Sequence, residues 1–393
     1  MRRLTMISML SVCVAAGSFA TAYAQGKTAA PQTVDLKAPD GTSLKASYYA
    51  AAKPGPGIVL LHACNRDRSS WAHLATEAAT RGFHVIALDF RGYGQSGGQR
   101  FDDPQQQQWI SEKLWPGDVD AAFTWLTSQA GVDKTRIGAA GASCGVNQSV
   151  QLASRHPEVR TVVLLSGGVS PAGRTVLKNS PSLPVFAAAS TGDGGVVTGM
   201  RWALGWSRNP ANKFVEYKAA GHGTDMFAKE KALEPLILDW FDKNLRNASK
   251  TAPAATATAG AKPTPAEEFW TALTAPGGAA RAKELYADAK RKHPGVVLFP
   301  ENELNLFGYQ LLQDGNPKDA VTIFQLNVQV YPASANPYDS LSDGYLALGN
   351  RDEALKYAEM ALAMLPKDIE ATEDFKKAVR ESAEKKVSEL KKK

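Results

Sequence analysis

Two stretches of the chain spell G-x-S-x-G: Gly141-Ala142-Ser143-Cys144-Gly145 and Gly94-Gln95-Ser96-Gly97-Gly98. This pattern can hold a serine on a turn sharp enough to lift its hydroxyl clear of the backbone. There it attacks a carbonyl carbon once a neighbouring base takes its proton. With 33 glycines in 393 residues the pattern also arises by chance, so context must decide. A nucleophile on such a turn needs a strand running in and a helix leaving. Small flanking residues let the turn close, and the helix N-terminus aims free N–H groups at the developing oxyanion. "RIGAAG" precedes Ser143 and "GVNQSVQLASRHP" follows it, which meets both needs. Ser96 runs on into "GQRFDDPQQQQ", which has no apolar stripe and contains Pro104. That stretch also spells G-x-G-x-x-G from Gly92 to Gly97, like a dinucleotide fingerprint, but no helix opens where a pyrophosphate would need one.

The elements that must position Ser143 alternate in type between about residues 33 and 248. "IVLLHA", "HVIALDF", "RIGAAGA", "TVVLLSG", "PVFAAAST" and "KFVEYKA" predict strands. Their continuous apolar runs point to a parallel sheet covered on both faces. "SSWAHLATEAATRG", "DVDAAFTWLTSQAG", "VNQSVQLASRHP" and "DMFAKEKALEPLILDWFDKNL" predict the helices between them. "TVDLKAP" and "SLKASYY" suit an antiparallel hairpin at one edge. The fold class is α/β, a mostly parallel sheet with helices on both faces, with ligands expected at the carboxyl ends of its strands.

"RIGAAGASCG", "IALDFRGYGQSGG", "LLHACNRDRSSW" and "AAGHGTDMF", in their chain order, resemble the α/β-hydrolase superfamily, and within it the small dienelactone-hydrolase-like esterases. The resemblance covers roughly residues 33–248. The four motifs together are far more specific than any one alone.

Six histidines compete to be the base. His73 falls in a helical pattern, His84 at a strand start, His156 before Pro157, His293 far along the chain and His62 at a strand end. His222 alone sits in a glycine-flanked loop, "AGHGTD", between the last strand and the final helix, which is the position the resemblance assigns to the base. The superfamily's order of serine, acid, histidine points to Asp193 in "STGDGG" as the partner that orients the imidazole. A turn-forming aspartate among glycines is the plainer reading of that residue. Asp225 is too close to His222 in sequence, and Asp89 before "RGYG" matches a motif that is structural in the superfamily. The resemblance puts the oxyanion donors on the backbone N–H groups of Cys144, directly after the nucleophile, and of Cys64 after "LLH". Ala63 stands here where the superfamily often has Gly. In an oxidising compartment Cys64 and Cys144 could form a disulfide if their Cα atoms lie within about 4.4–6.8 Å. The preferred reading is two small buried residues packing beside the turn.

"MRRLTMISMLSVCVAAGSFATAYAQ" has the charged, apolar, small-x-small order of a secretory signal over residues 1–24, cleaved near Ala24. The expected location is therefore periplasmic or secreted. Removing the signal takes away Arg2 and Arg3 and no acids, so the net charge falls from +6 to +4. No later stretch approaches 18 uninterrupted apolar residues, so no membrane span is expected in the mature chain. No Cys/His metal spacing and no basic-aromatic nucleic-acid module is present in the sequence.

The hydrolase-like domain, residues 27–248, is followed by an Ala/Thr/Pro-rich linker over 249–265 and an all-α helical-repeat domain over 266–391. In the latter Gly315-Asn316 recurs as Gly349-Asn350, Ala320 as Ala354 and Pro332 as Pro366, each 34 residues apart. This resembles the tetratricopeptide repeat, which would serve a protein or peptide partner.

The expected activity is hydrolysis of a small carboxylic ester through an acyl-enzyme, without cofactor or metal. The connection from Gly167 to Pro184 is too short for a lid domain, and the segment 95–116, with Trp109 and Trp115, could wall the pocket or belong to the core. Two alternatives stay open: a peptidase or acyltransferase of the same fold, and a non-catalytic interaction protein.

Overall fold

The computed structural model describes residues 30–100, 104–247 and 262–392. The signal at 1–24 and positions 249–261 of the linker lie outside the described residues. Eight strands form one sheet: β1 (Gln32–Lys37), β2 (Ser43–Tyr49), β3 (Gly55–Leu61), β4 (His84–Leu88), β5 (Val132–Ala142), β6 (Val159–Leu165), β7 (Val185–Thr191) and β8 (Lys213–Lys218). Their order is β1-β2-β4-β3-β5-β6-β7-β8. The β1–β2 and β2–β4 pairings are antiparallel, and from β4 to β8 every pairing is parallel.

The interleaved helices are α1 (Ala72–Thr80), α2 (Pro104–Lys113), α3 (Trp115–Ser128), α4 (Cys144–Arg155), α5 (Pro171–Asn179), α6 (Val196–Leu204), α7 (Met226–Lys229) and α8 (Leu233–Phe241). The sheet is covered on both faces, which explains its unbroken apolar strands. In β3, Val59 and Leu61 join the core beneath α3 and α4, while Ile58 and Leu60 join the core beneath α1 and α8. Alternate side chains of a strand point to opposite faces, so both must be apolar here.

Three departures from the sequence reading have local causes. The single helix expected at 225–245 is split into α7 and α8 at Glu230, whose backbone leaves the helical region. Helix α2 forms without an apolar stripe: Pro104 starts it, and its glutamines are good helix formers. Helices α5 and α6 are only nine residues each, too short for a clear period. Ser170 caps α5, its hydroxyl accepting from Gly173 N–H, and Pro171 presets the first turn.

Helices α9 (Pro265–Thr274), α10 (Ala282–Lys292), α11 (Glu301–Gln313), α12 (Pro317–Val330), α13 (Asn336–Ala347), α14 (Arg351–Met364) and α15 (Glu373–Lys391) complete the chain as an all-helical region. Helix α9 starts on a capping box between Thr264 and Glu267. Gly315 ends α11 and Gly349 ends α13, both left-handed at φ 77° and 75°, a conformation that glycine adopts without steric penalty. The hydrogen bonds recur with them: Asn316 N–H donates to Leu311 and Asn350 N–H to Tyr345.

The helical region is docked on α5 and α6. Trp202 of α6 shares an apolar cluster with Phe269, Trp270, Leu273, Leu298 and Phe299. The indole N–H groups of Trp202 and Trp270 both donate to the Leu298 carbonyl, at 2.9 and 3.0 Å. Arg174 of α5, 5% exposed, donates to Glu303 at 2.8 Å and lies 4.5 Å from the Trp202 ring centre. Arg208 pairs with the buried Glu267.

Candidate active site

Strand β5 runs into Ser143 and α4 leaves at Cys144. Between them Ser143 has φ 51° and ψ −114°, a conformation L-residues seldom adopt. The turn is held from both sides. Ser143 N–H donates to Leu165 of β6 at 2.8 Å, and the turn is closed so tightly that a Cβ on Gly141 would stand 2.0 Å from the Gly145 carbonyl oxygen. Ser143 stays half-buried, so its hydroxyl remains reachable.

His222 lies between two left-handed glycines, Gly221 and Gly223. A Cβ on Gly223 would lie 3.2 Å from the Cβ of Ala142, so the histidine loop packs against the residue just before Ser143. His222 Nδ1 is 2.8 Å from both carboxylate oxygens of Asp193. An acceptor-only partner fixes the proton on Nδ1 and leaves Nε2 as the basic nitrogen. Asp193 follows β7 in a loop with three left-handed glycines, Gly192, Gly194 and Gly195, and Val196 N–H closes that loop onto its carbonyl.

The rival residues are occupied elsewhere. The Ser96 hydroxyl donates to the Asp89 carbonyl at 2.7 Å and accepts from Lys45 N–H at 2.8 Å. Asp89, fully buried, accepts from the backbone of Arg68 and of Gln95. Asp225 is bound in two places by Arg66, at 3.0 and 2.7 Å. His73 meets Glu234, His84 meets Tyr48, and His156 meets Asp120. His62 donates from Nδ1 to the Ala63 carbonyl and accepts Phe90 N–H at Nε2, which makes it a neutral brace between β3 and β4. Burial pushes its pKa down, outweighing the upward pull of the Ala63 bond and of Asp89.

The backbone N–H groups of Cys64 and Cys144 donate to no acceptor among the described residues. The two side chains do not merely pack, as the sequence reading preferred. They form a disulfide, with Cα atoms 5.6 Å apart and S–S 2.00 Å, across 80 residues of sequence. The sequence left pairing open because it depends on how closely the loop after β3 approaches the turn after β5, which parallel pairing of those strands sets.

A polar cleft of about 570 Å³ is lined by Asn65, Arg66, Tyr93, Arg100, Thr224 and Asp225; Asn65 adjoins Cys64 and Thr224 lies two residues after His222, while Ser143, Asp193 and His222 do not line it. Of the segment 95–116, Arg100 reaches this cleft, Trp115 is fully buried and stacked on Phe90, and Trp109 is exposed.

Residues 56–201 match the family described as alpha/beta hydrolase fold, a span that takes in the elbow and the acid loop. The sheet order and the strand-turn-helix at Ser143 agree with that match. The domain has the α/β-hydrolase fold.

Two uncharacterized proteins of Mycobacterium tuberculosis, from strains CDC 1551 / Oshkosh and ATCC 25618 / H37Rv, are 31% identical to this chain over 136 residues. The match covers 34% of this chain and 45% of each relative, so the chain spans under half the length of these curated relatives. Among solved structures, an esterase of Pyrococcus furiosus matches with TM-score 0.45 and 18% identity over 55% of this chain and 93% of its own. A dienelactone hydrolase of Anabaena variabilis matches with TM-score 0.43 and 19% identity over 55% of this chain and 99% of its own.

Proposed function

We propose that this α/β-hydrolase domain is a serine hydrolase that cleaves carboxylic esters through an acyl-enzyme. The observation that carries the reading is the grip of Asp193 on His222 Nδ1, in a loop that packs beside the strained Ser143 turn. Nε2 of His222 takes the proton from the Ser143 hydroxyl as its oxygen bonds to the ester carbonyl carbon. The carbonyl oxygen becomes an oxyanion that the N–H groups of Cys144 and Cys64 stabilise, helped by the N-terminal end of α4. The tetrahedral intermediate collapses, the C–O bond to the alcohol breaks, and His222 returns the proton to the leaving oxygen. Water then repeats the sequence on the acyl-enzyme, releasing the acid and restoring Ser143.

An ester is favoured over a peptide with a free amino terminus because the cleft carboxylates are engaged. Asp225 is held by Arg66, and Asp67 accepts from Ser69 N–H. For the helical region we propose tetratricopeptide-type repeats that bind a protein or peptide, on the strength of the helix ends repeated at Gly315 and Gly349. Export, with cleavage near Ala24, belongs to the same proposal and rests on the sequence of residues 1–24.

The test is labelling of the full protein with a fluorophosphonate probe, beside Ser143→Ala and Ser96→Ala. The reading requires labelling that Ser143→Ala abolishes and Ser96→Ala keeps, together with turnover of short esters. Folded wild-type protein that neither labels nor turns over would refute it. Faster turnover of amides, or acyl transfer to an added alcohol, would move the assignment to a peptidase or an acyltransferase.

A further inference from the structure

We propose that the Cys64–Cys144 disulfide is a positioning element of the oxyanion hole, and that its reduction suppresses turnover. This rests on the acyl-enzyme reading, and it assigns the bond a catalytic consequence beyond holding the fold together.

The bond joins Cys64 and Cys144, whose backbone N–H groups donate to no acceptor among the described residues. Cys144 sits on the rigid side. It opens α4 directly after the turn, which is fixed by the Ser143–Leu165 bond and by Gly145 packing so tightly that a Cβ there would stand 2.3 Å from the Leu61 carbonyl oxygen. Cys64 sits on the less supported side, beyond β3 in the loop that leads to Asp67. Its neighbours there are held by the His62 side chain and the Arg66 N–H, both donating to the Ala63 carbonyl, and by the Arg66–Asp225 pair. Both members of that pair are about two-fifths exposed, and such surface pairs hold geometry weakly. The disulfide is the covalent link that carries the order of the elbow into the Cys64 loop. An oxyanion donor stabilises the transition state only while it is aimed at the developing charge. Losing its aim acts on kcat and leaves ground-state binding almost untouched.

Both cysteines are half-buried and Asn65 beside Cys64 is exposed, which gives a small dithiol an approach to the bond. One thiolate of the dithiol attacks a cystine sulfur and expels the other as a thiolate, forming a mixed disulfide. The second thiol of the reagent then displaces the protein sulfur, leaving two protein thiols and one cyclic oxidised dithiol.

The experiment uses the full-length oxidised protein, before and after dithiothreitol, with free thiols counted by iodoacetamide alkylation and mass. Hydrolysis of p-nitrophenyl acetate gives kcat and KM, circular dichroism follows the fold, and reoxidation follows each reduction. The double variant Cys64→Ala/Cys144→Ala is measured in parallel. The expected result is a fall in kcat of about tenfold to a hundredfold, short of the loss from deleting an oxyanion donor outright, at nearly constant KM. Reoxidation restores it, and the double variant is equally slow and indifferent to dithiothreitol. Two alkylated thiols with kcat within twofold of the oxidised protein would overturn the proposal. So would a rise in KM alone, or unfolding of both the reduced protein and the double variant at assay temperature, which would make the bond a structural staple. If the oxidised protein itself neither labels with fluorophosphonate nor hydrolyses the ester, the acyl-enzyme reading fails and takes this inference with it. Equal activity in both redox states refutes the clamp alone.

Discussion

Both carboxylate oxygens of Asp193 lie 2.8 Å from Nδ1 of His222, although 29 residues separate them. This arrangement fixes which imidazole nitrogen is protonated, and in the proposed mechanism it steadies the positive charge the ring acquires during proton transfer. An amide at position 193 could offer its N–H₂ group to Nδ1 and so move the ring proton to Nε2, where it blocks the base. Asp193→Asn should lower kcat by about 10³–10⁴ while KM moves only a few-fold. Steady-state hydrolysis of a chromogenic ester checks it. A loss under tenfold would mean another group orients His222.

How much of this was readable in advance depends on what each feature requires locally. The elbow was legible because a strand, a small-residue turn and a helix adjoin in sequence around Ser143. The paired helix ends at Gly315 and Gly349 were legible because the left-handed conformation favours one residue type. The contact between His222 and Asp193 was foreseeable mainly through order along the chain. The disulfide was left open beside simple packing, since it records a meeting of two loops 80 residues apart. The docking of the helical region on α5 and α6 was not legible. Arg174 reads as a surface residue until its neighbours Trp202 and Glu303 are in place. Trp202 and Trp270 meet only in the folded chain, with Trp206 against Trp202.

Burial keeps His62 neutral, and this gives stability a pH dependence. Its folded pKa is lowered from the ordinary 6.5, so the native state binds fewer protons than the unfolded chain. The contribution is fully present above about pH 6.5 and is lost as the pH falls below it. His84, lowered by its own burial, acts in the same direction. Urea melts from pH 7.5 to 5 should therefore show falling stability. His62→Gln, which can still accept Phe90 N–H, should be less stable at pH 7.5 and show a flatter slope. An unchanged slope would mean that His62 is not a source of the dependence.

Gly145 marks a place where the backbone admits no side chain. An added Cβ would meet the Leu61 carbonyl 2.3 Å away, and that oxygen belongs to a strand that cannot swing aside. Gly145→Ala should destabilise by about 1–3 kcal/mol and displace the turn that carries Ser143. Gly168 is the control: it is exposed, and a Cβ there would meet nothing within 4 Å. Gly168→Ala should stay within about 0.5 kcal/mol. Denaturant melts measure stability, and fluorophosphonate labelling rates report the turn. Equal behaviour of the two variants would contradict the close packing of Gly145 against the Leu61 carbonyl.

The Arg174–Glu303 pair tests how firmly the helical region is joined to the hydrolase domain. Both side chains are nearly excluded from water, with Arg174 lying against Trp202 as well. Burial raises the Glu303 pKa against the lowering pull of Arg174, and burial lowers that of Arg174. Removing the cation alone strands a carboxylate in the interface, a loss of about 3–5 kcal/mol in comparable pairs. Arg174→Met should thus be strongly destabilised at pH 7. Without its partner, Glu303 titrates still higher, and a raised folded pKa means stability gained as pH falls. The deficit of Arg174→Met should therefore shrink between pH 7 and pH 5. The double variant Arg174→Met/Glu303→Leu replaces two charges by apolar groups and should be more stable than Arg174→Met. Melts of the four proteins at both pH values close the cycle. Additive losses with no pH dependence would mean that the charges are solvated and that the apolar cluster around Trp202 and the Arg208–Glu267 pair hold the two parts together.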